Sequence, residues 1–232
     1  MSSIEEAIDA IKSGLLAVIP TDTVYGIAAL PNSEEAIAAV FDVKGRSKDK
    51  GLPILAASPA DLGSIARPSA EARVLAAAYW PGPLTLVVPR ADTFAADIGG
   101  TDPTSVAVRV PNHDITRAIL EQTGPLAVTS ANISGMWAAT TIAEARAAVG
   151  GDIKVFLDSG VCDGATSTIV SLMAEPAVIR EGPVSEADVL QLLAQAETQG
   201  EAGDARDDEE GDATEAPDDD SDEGDVEKID LF

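Results

Sequence analysis

The sequence predicts one α/β domain built on a twisted mixed sheet with flanking helices, followed by an acidic tail. Short apolar runs such as residues 15–19 are typical of buried strands, and they alternate with segments whose apolar residues repeat at helical spacing. Some predicted strands follow one another directly, which favours a mixed sheet over a strictly parallel one. Because the composition changes near residue 197, we expect a folded domain over residues 1–196 and a disordered tail over 197–232.

The helices are predicted from apolar periodicity and from capping residues. Ser3 and Glu6 form a capping box for a first helix that ends at Gly14, and Asn32 with Glu35 caps a second helix. This second helix runs to about residue 44, and further helices are predicted over 70–78, 114–122, 142–149 and 185–196. Strands are predicted over 15–19, 52–57, 84–89, 105–110, 126–129, 154–157, 168–172 and 177–180.

The composition excludes several classes of site. The 232 residues include one cysteine, Cys162, and one histidine, His113, which excludes an intramolecular disulfide and multi-histidine zinc sites. We interpret His113 as a surface or capping residue and Cys162 as a structural residue. No run of about 18 apolar residues is present, and the first residues carry acids where a secretory signal carries bases. We therefore expect a cytoplasmic protein that does not bind a membrane.

The acidic charge is concentrated in the predicted tail. The whole chain has 40 acids and 15 bases, and residues 197–232 hold 17 of the acids and 2 of the bases. Such a segment buries too little apolar surface to offset the entropy of ordering it, so the simplest role is a solvating tail. A more specific alternative is that the tail mimics nucleic acid or shields a basic site. The last five residues, KIDLF at 228–232, resemble the peptide that binds the bacterial sliding clamp and are a weak candidate for C-terminal docking.

Three predicted elements run into polar loops, at residues 20–26, 44–50 and 130–135. Ligands of α/β sheets bind outside strand ends, so these loops are candidate binding segments. The segment KGRSKDK at 44–50 holds four bases, whose side chains suit phosphate oxygens, although a solvated loop paired with acids has the same composition. Neither GxxxxGK[ST] nor GxGxxG is present, so a nucleotide site must be built in another way.

Single polar residues in the apolar strands are further candidates. Arg109 and Arg180 each lie in or end an apolar strand, so each guanidinium must find an anion or a carbonyl. The anion is either an internal carboxylate or a substrate carboxylate. Ser130 and Asn132 alternate at a strand end and so face one side, where they either orient a polar ligand or form a turn.

Seven segments in order resemble the Sua5/YciO/YrdC family of threonylcarbamoyl-AMP synthases, in its short bacterial form. They are PTDTVYG at 20–26, KGRSKDKGLPIL at 44–55, WPGPLTLVV at 80–88, VAVRVP at 106–111, TSANISG at 129–135, STIVSL at 167–172 and VIREG at 178–182. The resemblance implies a YrdC-like α/β domain whose twisted sheet and helices enclose a large concave cavity. It also implies that L-threonine, bicarbonate and ATP, with Mg²⁺, are converted to threonylcarbamoyl-AMP and pyrophosphate.

The product of this family feeds the N6-threonylcarbamoyladenosine (t6A) modification of tRNA. The resemblance therefore implies that t6A transfer-complex proteins are partners and that tRNA is met indirectly. It assigns catalysis to Lys44 and Arg46. ATP binding is assigned to Arg46, Lys50, Ser105, Asn132, Thr140 and Arg180, and threonine binding to Thr21, Thr23, Tyr25, Arg109, Ser130 and Ser167. It assigns no metal ligand to a protein side chain.

Two positions depart from the family pattern. Some members have a histidine that contacts threonine where this chain has Leu55, and proline is common where this chain has Ser47. Two alternative functions remain at this point, an RNA-binding module and a YciO-like paralogue with a different acceptor. The net charge of −25 and the 3% aromatic content argue against the RNA-binding module.

Overall fold

The computed structural model describes residues 2–151 and 153–204, and within them the chain forms six α-helices and nine strands. The helices are α1 (Ile4–Lys12), α2 (Glu34–Lys44), α3 (Ala70–Tyr79), α4 (Asp114–Thr123), α5 (Ile142–Val149) and α6 (Glu186–Asp204). The strands are β1 (Ala17–Ile19), β2 (Gly26–Ala29), β3 (Ile54–Leu55), β4 (Leu84–Pro89), β5 (Ser105–Arg109), β6 (Leu126–Ser130), β7 (Val155–Phe156), β8 (Thr168–Ser171) and β9 (Ala177–Arg180).

All nine strands belong to one sheet, in the order β7-β1-β2-β6-β3-β5-β4-β8-β9. The pairs β1 with β7, β3 with β5 and β4 with β8 are parallel, and the other five neighbouring pairs are antiparallel. The prediction of a mixed sheet is confirmed. The strand order brings distant segments together, since β4 and β8 are neighbours although they are far apart in the chain.

Strand β2 was missed in the sequence analysis. Three of the four residues of its sequence, GIAA, are glycine or alanine, which have low strand propensity, and the segment directly follows a polar loop. The structure nevertheless buries all four residues and pairs the strand on both sides, with β1 and with β6. Pairing with neighbours therefore outweighs the weak local preference, and the 20–25 loop joins β1 and β2, the second and third strands of the sheet.

The helix caps agree with the prediction at one helix and differ at another. In α1 the Glu6 backbone N–H donates to Ser3 Oγ at 3.1 Å, and the Ser3 backbone N–H donates to the Glu6 carboxylate at 2.9 Å. The predicted cap of α2 by Asn32 is wrong, because Ser33 occupies the N-cap and accepts from the backbone N–H of Ala36 at 3.2 Å. The helix starts one residue later than the prediction.

The sheet separates two hydrophobic clusters. Along β1, Val18 packs into the larger cluster with α2, α3 and α6, whereas Ala17 and Ile19 pack into the smaller one with α1 and α4. This division follows from the alternation of side chains along a strand. In the part of the chain that the structure describes, the smaller cluster has no residue from β4, β5 or β8, so α1 and α4 leave that part of the face uncovered.

The last helix is longer than predicted. It was expected to end near residue 196, with a disordered tail from 197, but α6 continues to Asp204. Its first half is anchored by the buried Val189 and Leu193. The rest of the predicted tail, including the candidate docking peptide at 228–232, lies outside the described residues. Among the described helices, none combines the length and apolar character needed to cross a bilayer.

Candidate active site

A cavity of about 590 Å³, here called the sheet cavity, lies on the uncovered part of the sheet. Its floor consists of alternate residues of three neighbouring strands, which point to one side because side chains alternate along a strand. They are Thr85 and Val87 on β4, Ser105, Ala107 and Arg109 on β5, and Ile169 on β8, with Ser167 just before β8. The walls come from the loops at residues 46–53 and 98–102.

A second cavity of about 960 Å³, here called the loop cavity, is lined by the segments 134–140, 164–166 and 180–182 together with α5. The two cavities adjoin, because both are lined by Arg46, Lys50, Ser130, Thr166 and Arg180. We call this shared boundary the junction. Three of its five side chains are cations, so a ligand that spans both cavities passes a region of positive charge.

Twelve of the thirteen predicted site residues line one or both cavities. The sheet cavity holds Thr21, Thr23, Arg46, Lys50, Ser105, Arg109, Ser130, Ser167 and Arg180. The loop cavity holds Lys44, Arg46, Lys50, Ser130, Asn132, Thr140 and Arg180. Fold topology thus gathers residues from widely separated segments into one place, and their contacts with threonine and ATP remain predictions.

Tyr25 is the predicted residue that lines neither cavity. Its side chain is fully buried in the larger hydrophobic cluster, and its hydroxyl donates to the carbonyl of Gly160 at 2.7 Å. The same hydroxyl accepts from the backbone N–H of Ser159 at 3.1 Å. Tyr25 therefore ties the 20–25 loop to the 158–160 segment, and its contact with threonine remains a prediction.

Arg109 has an internal carboxylate as partner, one of the two alternatives that the sequence left open. Its Nη2 lies 2.6 Å from Asp22, its Nη1 donates to Thr23 Oγ1 at 3.1 Å, and its Nε donates to the carbonyl of Gly82 at 2.9 Å. The Arg109 and Asp22 side chains are 7% and 12% exposed. These bonds fix the guanidinium while it still lines the sheet cavity, where a ligand carboxylate could meet its remaining N–H groups.

The hydroxyls of Thr21 and Thr23 are used to hold this arginine. Thr21 donates its hydroxyl hydrogen to the carbonyl of Val24 at 2.6 Å. The 3.0 Å bond between the two hydroxyls must then be donated by Thr23, which also accepts from Arg109. Both hydroxyl hydrogens are therefore committed inside the protein. Neither threonine can donate to a ligand unless this chain of bonds breaks.

The ammonium of Lys44 is held inside the protein rather than in open cavity space. The residue is 2% exposed, and its Nζ donates to the carbonyls of Ser130 and Asn132 and to Asn132 Oδ1. Burial, reinforced by the nearby Arg46, lowers the pKa of Lys44 to about 8. Because all three donors are used, contact with a phosphate would require one of these bonds to break. The contacts seen here position the end of β6.

Asn132 completes this arrangement from the other side of the ammonium. Its amide nitrogen donates to the carbonyls of Ile133 and Met136, each at 2.8 Å, so the side chain holds the loop that lines the loop cavity. Lys44 and Asn132 thus fix the loop that follows β6.

Among the described residues, none of the three cations of the junction, Arg46, Lys50 and Arg180, has a carboxylate partner within 4.0 Å. Within the described residues, the ion pairs closer than 4.0 Å are Arg109 with Asp22 and Arg67 with Asp92. Arg46 instead donates to the carbonyls of Lys50 and Gly51, each at 2.9 Å, which closes the 46–51 loop. The pKa of Arg180 is lowered by burial and by repulsion from Arg109 and Arg46. Such a cluster favours an anionic ligand.

The remaining predicted residues lie on the walls. Thr140 donates its hydroxyl to the Glu144 carboxylate at 3.0 Å, and Ser105 donates to the carbonyl of Asp102 at 3.2 Å. Leu55 lines the sheet cavity and is buried, so it presents a hydrocarbon surface where some family members have histidine.

Sequence reasoning did not select Thr85. Its hydroxyl lies 2.8 Å from Ser167 Oγ, and both side chains line the sheet cavity. Thr85 is the polar residue of an otherwise apolar strand, LTLVV. This polar position in the alternating pattern was the signal that could have identified Thr85 as a candidate site residue.

The two residues with the most familiar catalytic chemistry lie elsewhere. His113 is the N-cap of α4, as expected, and its Nε2 is 3.3 Å from Ser159 Oγ. Cys162 is buried, and burial raises the pKa of its thiol, which disfavours the reactive thiolate. Neither lines the sheet cavity or the loop cavity.

A magnesium ion carried by a nucleotide fits the donor set of the cavities. Residues 2–151 and 153–204 contain no group of three histidine, cysteine or acidic side chains that could hold a metal ion. Single carboxylates do line the cavities, among them Asp49 in the sheet cavity and Glu181 in the loop cavity. Mg²⁺ in nucleotide sites is commonly held by phosphates, water and one or two carboxylates, and these walls would supply the carboxylates.

Comparison with known proteins places this site in a family. The Sua5/YciO/YrdC family model, described as "Telomere recombination", matches residues 9–182. A Mycobacterium tuberculosis relative is 40% identical over 193 residues, which cover 82% of this chain and 88% of that protein. The threonylcarbamoyl-AMP synthase of Pyrococcus abyssi is 39% identical over 173 residues, which cover 73% of this chain and 50% of that enzyme.

Solved structures agree with the sequence comparison. P. abyssi Sua5 complexed with L-threonine superposes with a TM-score of 0.77 at 35% identity, covering 82% of this chain and 56% of that one. Escherichia coli YciO superposes with a TM-score of 0.73 at 19% identity, covering 78% of this chain and 90% of that one, and this likeness concerns the fold alone. The chain spans little more than half of the Sua5 structure. The family model and these relatives together show that the chain belongs to the Sua5/YciO/YrdC family.

Proposed function

We propose that this protein is a threonylcarbamoyl-AMP synthase. It converts L-threonine, bicarbonate and ATP to threonylcarbamoyl-AMP and pyrophosphate, and the product serves the t6A modification of tRNA. The observation that carries the proposal is the cationic junction between the two adjoining cavities, lined by Arg46, Lys50 and Arg180. Relatives named threonylcarbamoyl-AMP synthase and a threonine-bound Sua5 structure support the same activity.

The division into two cavities matches a two-substrate reaction. Threonine would occupy the sheet cavity, with its carboxylate toward the guanidinium of Arg109. ATP would occupy the loop cavity, near Asn132 and Thr140, with its phosphates at the junction. This arrangement brings the threonine amine, once carboxylated, close to the α-phosphorus, and such positioning is a large part of catalysis for a reaction that joins two bound molecules.

The chemistry requires no nucleophilic side chain. An oxygen of the carboxylated amine attacks the α-phosphorus, and the bond to the pyrophosphate oxygen breaks. Arg46 and Arg180 would stabilise the negative charge that develops on the leaving pyrophosphate, and Lys44 would keep the end of β6 in place. Mg²⁺, when bound with ATP, neutralises phosphate charge. This explains why the cavities are lined by arginine, lysine and hydroxyl side chains rather than by an acid–base pair.

The partners and compartment follow from this activity and are part of the proposal. The mixed anhydride product is reactive, so we propose that it passes to t6A transfer-complex proteins and that tRNA is met through them. We further propose that the protein acts in the cytoplasm, where threonine, ATP and tRNA are available.

Arg46→Ala tests the proposed role of the junction. Removal of one charge-stabilising group typically lowers a rate by about 100-fold or more, so we expect that loss in threonine- and bicarbonate-dependent pyrophosphate release. Lys48→Ala is the matched control, because Lys48 lies in the same basic loop but lines neither the sheet cavity nor the loop cavity. Near-normal turnover by Arg46→Ala would refute the assignment.

Pyrophosphate release and tRNA binding together separate two alternatives. A YciO-like paralogue would remain active when threonine is replaced by another amine, and the lower identity to YciO, 19% against 35% for Sua5, already weighs against it. An RNA-binding module would bind tRNA tightly with strong salt dependence and would release no pyrophosphate.

A further inference from the structure

A segment beside the cavities, here called the brace, consists of residues 94–100. Its alternate residues Phe94, Ala96 and Ile98 are buried in the larger hydrophobic cluster, which anchors the brace to the domain. From Ile98 onward the brace forms part of the wall of the sheet cavity. None of the sequence motifs includes this segment, and none of its residues has a role in the proposed reaction.

Arg90 holds the first half of the brace. Its Nε donates to the carbonyl of Phe94 at 2.8 Å, and its Nη2 donates to the carbonyl of Ala96. The guanidinium carbon also lies 4.7 Å from the centroid of the Phe94 ring, which is a cation–π contact. Arg90 lines neither the sheet cavity nor the loop cavity, so its side chain acts on the brace rather than on a ligand.

The second half of the brace is bonded to the basic loop that carries the predicted catalytic arginine. The backbone N–H of Gly100 donates to the carbonyl of Lys48 at 2.8 Å. The backbone N–H of Leu52 donates to the carbonyl of Ile98 at 2.9 Å. These two bonds lie on either side of residues 49–51, so the brace fixes this part of the loop at both ends.

Between the two bonds, the brace and the loop pack backbone against backbone. Gly99 has a φ of +73°, and a Cβ there would lie 2.7 Å from Phe41 Cζ and 2.8 Å from the carbonyl oxygen of Lys48. On the facing loop, a Cβ on Gly51 would lie 3.2 Å from the carbonyl oxygen of Gly99. Glycine at both positions therefore permits an approach that a side chain would push apart.

The part of the loop that the brace fixes also holds Arg46. The guanidinium of Arg46 donates to the carbonyls of Lys50 and Gly51, each at 2.9 Å, and both carbonyls lie between the two bonds from the brace. A shift of these carbonyls moves the guanidinium, because two of its N–H groups are directed at them. The position of Arg46 at the junction therefore depends on residues outside the junction.

We propose that the brace positions Arg46 for the reaction, and that Arg90 and Gly99 are positioning residues. The proposal rests on the proposed function, because the brace affects turnover through the charge that Arg46 places beside the leaving pyrophosphate. Such support matters because a displacement of about 1 Å, caused far from the reacting atoms, can lower a rate by roughly 100-fold.

Gly99→Ala tests the contact between the brace and the loop. The new methyl group must push the Phe41 ring or the Lys48 carbonyl aside, so we expect kcat for pyrophosphate release to fall roughly 10-fold. Gly124→Ala is the matched control, because Gly124 has a similar φ of +76° but a Cβ there meets nothing within 4 Å. The control carries the same backbone strain outside both cavities and should keep kcat within about twofold of wild type.

A double-mutant cycle distinguishes positioning of Arg46 from a general loss of structure. If the brace acts through Arg46, Gly99→Ala should lower kcat by no more than about twofold in a chain that already carries Arg46→Ala. The proposal is overturned if Gly99→Ala lowers kcat by the same factor in both backgrounds. It is also overturned if a Gly99→Ala chain that is folded by circular dichroism has wild-type turnover.

Arg90→Ala is a second variant, so the test does not depend on one substitution folding well. Arg67→Ala is its control, because Arg67 follows the residue that pairs with Arg90 but binds only the exposed Asp92 among the described carboxylates. Hydrogen exchange followed by mass spectrometry should become faster over residues 46–52 in Arg90→Ala and stay unchanged in Arg67→Ala.

The two kinds of measurement separate this proposal from the proposed function. Unchanged exchange over residues 46–52 in a folded Arg90→Ala chain would overturn the brace while wild-type turnover leaves the proposed function intact. A wild-type chain that releases no pyrophosphate with all three substrates would refute the proposed function, and the role of the brace in the reaction with it.

Discussion

Asp22→Asn is expected to destabilise the protein because it removes the counter-charge of a buried arginine. Arg109 and Asp22 are 2.6 Å apart, with side chains 7% and 12% exposed. Asparagine keeps an oxygen acceptor at nearly the same place, so the substitution removes charge while it disturbs packing little. The guanidinium stays charged at all accessible pH values and is left buried without an anion.

The size of the effect follows from burial. Breaking a buried pair by removal of one partner costs about 3 to 5 kcal/mol, and because the retained acceptor compensates in part, we expect about 3 kcal/mol. Arg67 and Asp92 provide a matched control. They are 2.5 Å apart but 63% and 85% exposed, so Asp92→Asn should cost less than about 1 kcal/mol.

Urea unfolding followed by circular dichroism measures both effects, provided that the dependence on denaturant has the same slope in all three proteins. A loss of about 3 kcal/mol corresponds to a fall in Tm of roughly 6 to 12 °C for a domain of this size. If Asp22→Asn and Asp92→Asn cost the same within error, burial does not determine the value of this ion pair and the reasoning is wrong.

Two further predictions concern stability. The pKa of Lys44 is lowered from 10.5 to about 8, so between those pH values the unfolded chain binds more protons. The free energy of unfolding of wild type, relative to that of Lys44→Met, should therefore rise with pH across that window by up to about 3 kcal/mol. Urea titrations at several pH values measure this difference. If the difference does not change with pH, Lys44 does not carry a buried charge. Gly182→Ala should cost about 1 to 3 kcal/mol and reduce activity, because the new Cβ would overlap the carbonyl of Thr166 and lie 2.7 Å from the backbone nitrogen of Thr168. Gly151→Ala is its control in thermal unfolding, since a Cβ there meets nothing within 4 Å; equal losses would refute the steric argument.

Much of the fold was predictable from local pattern. Strands β4 and β9 and helix α5 have the bounds that the sequence predicted, because apolar spacing and caps are properties of neighbouring residues. Strand β2 was missed for the same reason. Only Ile27 in GIAA favours a strand, so the strand conformation depends on pairing with β1 and β6.

The candidate site shows the same limit. Nearly all of the residues that the motifs identified line the cavities, but the motifs missed the 98–102 loop and did not distinguish a side chain that faces a cavity from one that is buried. Tyr25 and Thr85 are examples, since the first was predicted to bind and is buried, and the second was passed over and lines the cavity.

The sequence by itself determined the α/β class, the acidic C-terminal segment and the family to which the chain belongs. These depend on composition and on short motifs, which are written along the chain. Only the tertiary structure decided which hydroxyl hydrogens and which N–H groups remain free. That depends on hydrogen bonds between residues far apart in the chain, such as Thr85 and Ser167, which meet because β4 and β8 are neighbours in the sheet.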